Sequence, residues 1–481
     1  MRPEESLSRE EAVKVHIPLK EALFGDALFY RKVLSIVLPM IIQNTLTNVV
    51  SLLDNVMVGR VGTLQMSAVA IVNQLFFVFY LSIWGSLAGA GIYGTQYFGK
   101  KDYDGVRYTT RFKLLTAAAI SVFTLTLFLI GGETFIGTYI AADTSPESAA
   151  ATMQFAKQYL AIMMVGVIPF SLTQVYAGTL RESGQTFLPM TASMIAMVMN
   201  FVLNLVLIFG YLGFPRMGVA GAALATVISR FAEMGVIVFF SHRNREKYPF
   251  LAGLYYPFVI PPSITAPILT KIFPLFLNEL MWSLAEAFLL QCYSVRGLAV
   301  VAAMNISNTI SQIYNEVFLS LGSAAGILTG QQLGAGKLVT ARRTGYRMCA
   351  VSVYSSIVLG ALLCLAAPVI PRIYNTEESV RSLATAFLII AGIVMPVRSI
   401  ANAQYFIIRS GGRIFITFLF DSCFSWVAFV PAAFLLSRYT SLPVTTVYFL
   451  VLSLEFVKGL LGFYMMNKGS WVRNIISDIT L

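Results

Sequence analysis

The sequence predicts an all-α integral membrane protein, with twelve transmembrane helices in two parallel six-helix repeats that form a two-lobed bundle. Three observations predict it. The composition is too apolar for water alone, twelve apolar stretches have spanning length, and the second half of the chain echoes the first.

Of the 481 residues, 57% are hydrophobic and 12% are charged, against roughly 25% charged in an ordinary soluble domain. Mean hydropathy is +0.74. Burial saturates near three quarters of the surface even in large water-soluble domains, so part of the solvent must be lipid. The net charge of +11 would suggest nucleic acid in a soluble protein. Here the basic residues gather in alternate short loops, as the positive-inside rule demands, and no nucleic-acid partner is expected. Cys292, Cys349, Cys364 and Cys423 lie in or beside apolar stretches without CxxC spacing, so neither a disulfide framework nor a metal site is expected.

In chain order, residues 1–32 read as a cytoplasmic tail with an amphipathic approach, "EALFGDALFYRK", and no signal peptide. The first lobe, 33–241, holds spans at 33–57, 66–92, 113–132, 155–178, 187–210 and 217–240, each about the 20 residues a bilayer requires. Residues 242–268, basic and proline-containing, read as a cytoplasmic linker. The second lobe, 269–466, holds spans at 269–295, 301–328, 346–369, 382–408, 413–437 and 443–466. Residues 467–481 form a cytoplasmic C-terminal tail. With the N-terminus inside, the external segments hold only Arg60, Lys157, Arg216, Arg296, Arg372, Arg381 and Arg438 of the 34 basic residues. Both termini are therefore expected in the cytoplasm, and the size fits a multi-pass protein of a bacterial inner membrane.

The repeat is visible in the loops. At an offset of 236, Gly94, Gln96, Lys101, Arg107 and Arg111 meet Gly330, Gln332, Lys337, Arg343 and Arg347. At an offset of 228, Arg181 and Gly184 meet Arg409 and Gly412. An even number of spans per half gives the copies one orientation, a transporter architecture with a substrate path between halves. Gly322, Gly326 and Gly330 recur every fourth residue and read as helix packing. "GQQLGAGK" has the wrong spacing for a phosphate loop, and Leu338 follows where Ser or Thr belongs. No cofactor is expected, and uphill movement would draw on an ion gradient.

The stretches "LPMIIQNTLTNVVSLLDNVMVGRVG", "GTQYFGKKD", "RESGQT", "MNFVLNLVLIFGYLGFPRMGVAGAALATVISR" and "GQQLGAGK", in this order and spacing, resemble the multidrug and toxic compound extrusion transporters from Pro39 to Trp471. The resemblance implies a two-lobed, V-shaped, twelve-helix carrier. It would export organic cations and other amphipathic drugs in exchange for protons or sodium ions.

Charges inside the spans are the candidate site. Asn44, Thr47, Asn48, Ser51 and Asp54 recur at threes and fours and form one polar stripe, which points to protein or water rather than lipid. Asp54 reads either as an ion-coupling carboxylate in a hydrated cavity or as a helix-end group reaching the interface. Burial disfavours the charged form of a carboxylate, so such a group can exchange a proton near neutral pH. The resemblance matches Asp54 to the family's first-helix acid, implicated in coupling. Asn200 and Asn204 lie one turn apart; a branch of the family has Asp at the second position, and Asn204 does not titrate. Both asparagines are candidate hydrogen-bond partners for Asp54, or simple helix-to-helix ties.

In the second half Glu279 and Glu286 are seven apart and share a face. The family's acid in this helix implies a cation or substrate role for them, although Glu279 sits about a turn early. Arg398 stands where some members carry a carboxylate, with Asn402 one turn on. An internal pair of Arg398 with Glu279, Glu286 or Glu316 is expected, either structural or a gate. Arg230 and Glu233, and likewise Glu455 and Lys458, are spaced to pair within their own helices. Asp421 stands alone in its span as a further cavity candidate. The expected partners are cationic amphipathic small molecules and the lipid bilayer, and the expected state is a monomer. A flippase for a lipid-linked precursor, or a channel or sensory membrane protein, are the competing readings. His16 and His242 both lie outside the spans, which argues against a membrane enzyme.

Overall fold

The computed structural model describes residues 8–140, 145–374, 376–477 and 479. Among the described residues it is built of helices and connecting turns. Two short helices, α1 (Arg9–Lys14) and α2 (Leu19–Leu23), lead into α3 (Ala27–Gly59). Then follow α4 (Thr63–Lys100), α5 (Tyr103–Tyr139), α6 (Pro146–Val165), α7 (Val167–Glu182), α8 (Phe187–Phe209) and α9 (Val219–Arg243). The second half holds α10 (Pro262–Ser294), α11 (Leu298–Gly334), α12 (Leu338–Ala366), α13 (Glu378–Ser410), α14 (Ile414–Phe418), α15 (Val430–Tyr439) and α16 (Val444–Lys468).

Each of the twelve spans read from the sequence lies on helix, as the fold class requires. Ten helical stretches are long and apolar enough to cross a bilayer, with residues 414–439 counted as one. The α6–α7 pair, bent by 45°, adds an eleventh. The remaining span is α11, 37 residues long, whose middle carries Asn305, Asn308, Gln312, Asn315 and Glu316. Apolar, helix-forming side chains favour these elements because a helix satisfies its own backbone polar groups where no water is available.

Two spans depart from regular helix. The expected single helix at 155–178 breaks at Gly166, whose N–H turns back to Met163 O at 2.9 Å. Pro169, which has no N–H, leaves the carbonyl four residues earlier, Val165, without its helical donor. In the eleventh span the chain widens into π-helix over Leu419–Cys423 and Ser425–Phe429, between α14 and α15. A π-turn inserts an extra residue and rotates the side chains that follow it, and such turns gather at functional sites.

The helices group into two compact units. The first-half unit comprises Leu38–Gly94 and Tyr103–Ile272. The second-half unit comprises the described residues up to Val37, Thr95–Asp102, and those from Phe273 on. Two of the chain's crossings between the units fall inside α3 and inside α10, each within two residues of a proline, Pro39 and Pro274; the others flank Thr95–Asp102. The first-half core packs Val72, Phe76, Phe79 and Ile83 of α4 against Phe128, Met163, Val175 and Val227. The second-half core gathers Ala303, Phe387, Ala433, Val447 and Tyr448.

Helix ends on the side of the basic loops run further than the spans did, and they pack tightly. A Cβ added to Gly99 would meet Gln331 O at 1.8 Å, and one added to Gly334 would meet Gln96 O at 1.9 Å. Only glycine permits this approach of backbones. Gln96 is fully used there: its Nε2 donates to Ser410 O (2.9 Å) and Arg473 O (3.2 Å), and its Oε1 accepts from Ile475 N (2.9 Å). The packing reading of Gly322, Gly326 and Gly330 holds, since they lie against Asn402 and Phe406, Phe406, and Thr95.

Candidate functional site

In the first-half unit the polar stripe of α3 delivers Asp54 to α8. Asn204 Nδ2 donates to Asp54 Oδ1 at 2.5 Å and to Asn200 Oδ1 at 3.0 Å. Asn200 Nδ2 continues to Thr226 Oγ1 on α9 at 3.4 Å. The two asparagines are buried, whereas Asp54 is half-buried at the end of the ladder. The structure thus brings Asp54, Asn200 and Asn204 together, and adds Thr226, which sequence reading missed. Asn204 Oδ1 is buried and has no hydrogen-bond partner among the described residues. A carboxylate and an unused amide acceptor therefore sit one hydrogen bond apart.

A second network joins α7 to the same three helices. Arg181 Nη2 donates to Gln43 Oε1 (2.8 Å), Gln43 Nε2 to Ser193 Oγ (2.8 Å), and Ser193 Oγ to Glu233 Oε1 (2.5 Å). The expected pairing of Arg230 with Glu233 inside α9 is replaced. Arg230 donates instead to the Tyr80 hydroxyl and lies over the rings of Tyr80 and Phe170, at 5.3 and 5.2 Å. Its guanidinium remains within electrostatic reach of both Asp54 and Glu233.

In the second-half unit the π-helical stretch turns Asp421 toward two neighbours, so it does not stand alone as its isolation in the sequence suggested. Lys458 Nζ donates to Asp421 Oδ1 at 2.8 Å, and Asn278 Nδ2 donates to Asp421 Oδ2 at 3.1 Å. The expected Glu455–Lys458 pair within α16 gives way to this cross-helix bridge, because Asp421 reaches the ammonium directly. Ser422 Oγ is bonded to Asn278 O and Oδ1 at 2.7 and 2.8 Å, which fixes the amide. Asn278 also donates to the Tyr405 hydroxyl (3.2 Å), which accepts from Arg409 Nη1 (3.3 Å).

The other candidates are placed as follows. Glu279 is half-buried, within electrostatic reach of Arg409 and Asp421. Arg398 Nη2 stands 3.9 Å from Glu286 Oε1, and both side chains are partly exposed, which selects Glu286 among the three partners considered. Asn402 is set apart from these carboxylates: its Oδ1 lies against Gly322 and has no hydrogen-bond partner among the described residues. Glu455 is buried near Lys458, Arg398 and Glu286, with Oε2 unpartnered.

The family model MatE matches this chain twice, over residues 39–206 and 274–435. The chain belongs to the MATE family. It is 25% identical over 417 residues to the probable multidrug resistance protein NorM of Bacillus licheniformis, spanning 85% of this chain and 89% of that protein. To the NorM relative of Thermotoga maritima it is 22% identical over 454 residues, spanning 93% and 94%. A crystal structure of a MATE protein in a bent conformation superposes with a TM-score of 0.82 at 20% identity, over 95% of this chain and 99% of the other. A MATE transporter of Vibrio cholerae gives 0.80 at 16% identity, over 93% and 99%. Membership in MATE, a family of transporters, makes this a multi-pass membrane transport protein with the MATE fold. The two MatE blocks begin 235 residues apart, the same interval as between α3 and α10. Asp54, Asn200 and Asn204 lie in the first block and Glu279, Glu286, Arg398, Asn402 and Asp421 in the second, whereas Glu233 and Lys458 lie outside both MatE blocks.

Proposed function

We propose that the protein is a secondary active antiporter of the bacterial inner membrane, with both termini in the cytoplasm. It exports cationic amphipathic compounds in exchange for protons or sodium ions by alternating access. The relatives named as multidrug resistance proteins support the substrate class. Among the structural neighbours, one is an outward-facing multidrug resistance transporter, which is one of the two states that alternating access requires.

The observation that carries the coupling role is the Asp54–Asn204–Asn200–Thr226 ladder. Asp54 is hydrogen-bonded by a neutral amide, and its nearest cation, Arg230, is engaged by Tyr80, so the carboxylate gains from a proton or a small cation. The spare Asn204 Oδ1 supplies a second oxygen for either. Ion binding at Asp54 biases the two access states only by its differential affinity for them.

The test uses purified protein in liposomes loaded with a fluorescent organic cation, with proton and sodium gradients imposed separately. One gradient should drive transport in the wild type, and Asp54→Asn should abolish that dependence while remaining folded. Normal gradient-driven transport by Asp54→Asn would overturn the coupling role. Absence of gradient-driven transport in the wild type would instead favour the flippase reading.

A further inference from the structure

The two polar networks described above occupy matching places in the repeat. Helices α3 and α10 are each 33 residues long and offset by 235, and α9 and α16 are each 25 residues long and offset by 225. With the 228 offset of the loops that precede α8 and α14, Gln43 corresponds to Asn278, Ser193 to Asp421, and Glu233 to Lys458. Each half then has the same wiring. An amide on its first helix donates to a group on its fifth, and that group binds a charged side chain on its sixth. The sign is inverted: α9 presents Arg230 and Glu233, where α16 presents Glu455 and Lys458.

We propose that the Lys458 ammonium is a tethered cation that permanently occupies Asp421, so that exchangeable ions do not bind there. Both Asp421 oxygens are engaged, one by Lys458 and one by Asn278, and the two charged side chains are only 9% and 18% exposed. Lys458 Nζ also lies 5.5 Å from the centre of the Phe420 ring, where a cation is favoured. An ammonium held on its own helix competes with dissolved ions at the high effective concentration of an intramolecular partner. Sodium ions or protons therefore gain no foothold at Asp421 while the lysine is present. The other charges facing the pair are Glu455 on α16, Arg398 and Arg409 on α13, and Glu279 on α10. In the first-half unit the matching position to Asp421 is the neutral Ser193, and Asp54 has no lysine bound to it among the described residues.

The inference deepens the antiport reading and rests on it for its functional sense, but its first test needs no transport. Thermal unfolding of purified full-length protein in detergent is followed as sodium replaces choline at constant ionic strength, and as pH falls through the carboxylate range. Lys458→Gln should gain a stabilisation of several degrees from sodium or acid beyond that of the wild type, because Asp421 then needs a cation from solution. The double variant Asp421→Asn with Lys458→Gln should lose this gain. An identical ion response in Lys458→Gln and the wild type would overturn the proposal. Should Lys458→Gln not fold, Asp421→Asn and the double variant are compared in liposomes. Asp421→Asn should be defective, because it strands a buried ammonium, and the double variant should recover the gradient dependence of the wild type. A double variant as defective as Asp421→Asn would instead assign the ion or substrate to Asp421 itself. Loss of gradient-driven transport in every protein, wild type included, would overturn the antiport reading while leaving the unfolding result to decide this one.

Discussion

Glu182 is a carboxylate packed among helices, and Lys113 is what makes its place tolerable. The ammonium lies 2.5 Å from Glu182 Oε2, with side-chain exposures of 1% and 14%. Gly91 and Gly94 make room for the carboxylate, since a Cβ on either would fall 2.6 or 2.5 Å from its oxygens. Breaking such a pair from one side strands a buried charge, at about 3–5 kcal/mol. Lys113→Met should therefore lower the unfolding temperature sharply, and Lys113→Met with Glu182→Gln should restore most of it; equal unfolding temperatures for the two variants would refute this. A weaker charge effect operates at the exposed N-terminus. Hydrogen bonds from the backbone N–H and the side chain of Ser8 hold the Glu11 carboxyl below its usual range. A depressed carboxylate contributes order above its unfolded value and loses it as pH falls through the folded one. Amide exchange over residues 8–15 should accordingly speed up as pH drops through that window, after correction for intrinsic rates, and Glu11→Gln should remove the dependence. Sequence alone exposed Asp54 and its two asparagines, because a carboxylate after twenty uncharged residues is conspicuous. It did not expose Gln43, Ser193 or Asn278 as partners, because neutral amides and hydroxyls are common on any membrane helix, and its spacing pairs Lys458 with Glu455 rather than with Asp421.

At the scale of elements, the number and order of helices could be read from hydropathy, whereas their interruptions could not. The bend at Gly166 and the π-helical stretch around Asp421 arise from local backbone bonding inside segments that hydropathy reads as unbroken spans. Pro169 gave a hint of the first; "LFDSCFSWVAF" carries no proline or glycine, so nothing in it marks the second. In the sequence Asp421 consequently reads as isolated, although the wider turn aims it at Lys458. The long extensions of α4 to Lys100 and α11 to Gly334 are likewise hidden in the sequence, since Gln96, Gln331 and Gln332 read as loop until their packing is seen. That packing is strict. Gly334→Leu should abolish the close approach to Gln96 and leave little folded protein, measured as monodisperse material after extraction. Gly336→Leu is the control: its φ of +77° also disfavours a side chain, but no heavy atom lies within 4 Å of a Cβ there. Equal yields from the two would show that the backbone contact is unimportant.

At the scale of the whole chain, the segment ahead of each half belongs to the unit built mostly from the other half. Arg342 Nη1 holds Ala12 O and Val15 O at 2.7 and 3.0 Å, and Arg347 Nε holds Glu21 O at 2.8 Å, all within the second-half unit. Arg111, the counterpart of Arg347, binds Leu254 O, Val259 O and Gly253 O at 2.9, 2.7 and 2.6 Å within the first-half unit. In the sequence the repeated arginines point to the positive-inside rule and to the internal repeat; their work of pinning the opposite leader segment is visible only in the structure. A chain cut between residues 246 and 247 should therefore yield two fragments that are each unstable alone and that assemble when produced together, read as co-purification. Independent folding of either fragment would refute this. Such reciprocal exchange is what a half-length protein would show if it once paired with a second copy and traded leader segments. Fusion of two such genes end to end would then keep the trade in a single polypeptide, and freedom from strict symmetry would allow one copy to acquire a lysine where the other kept an acid.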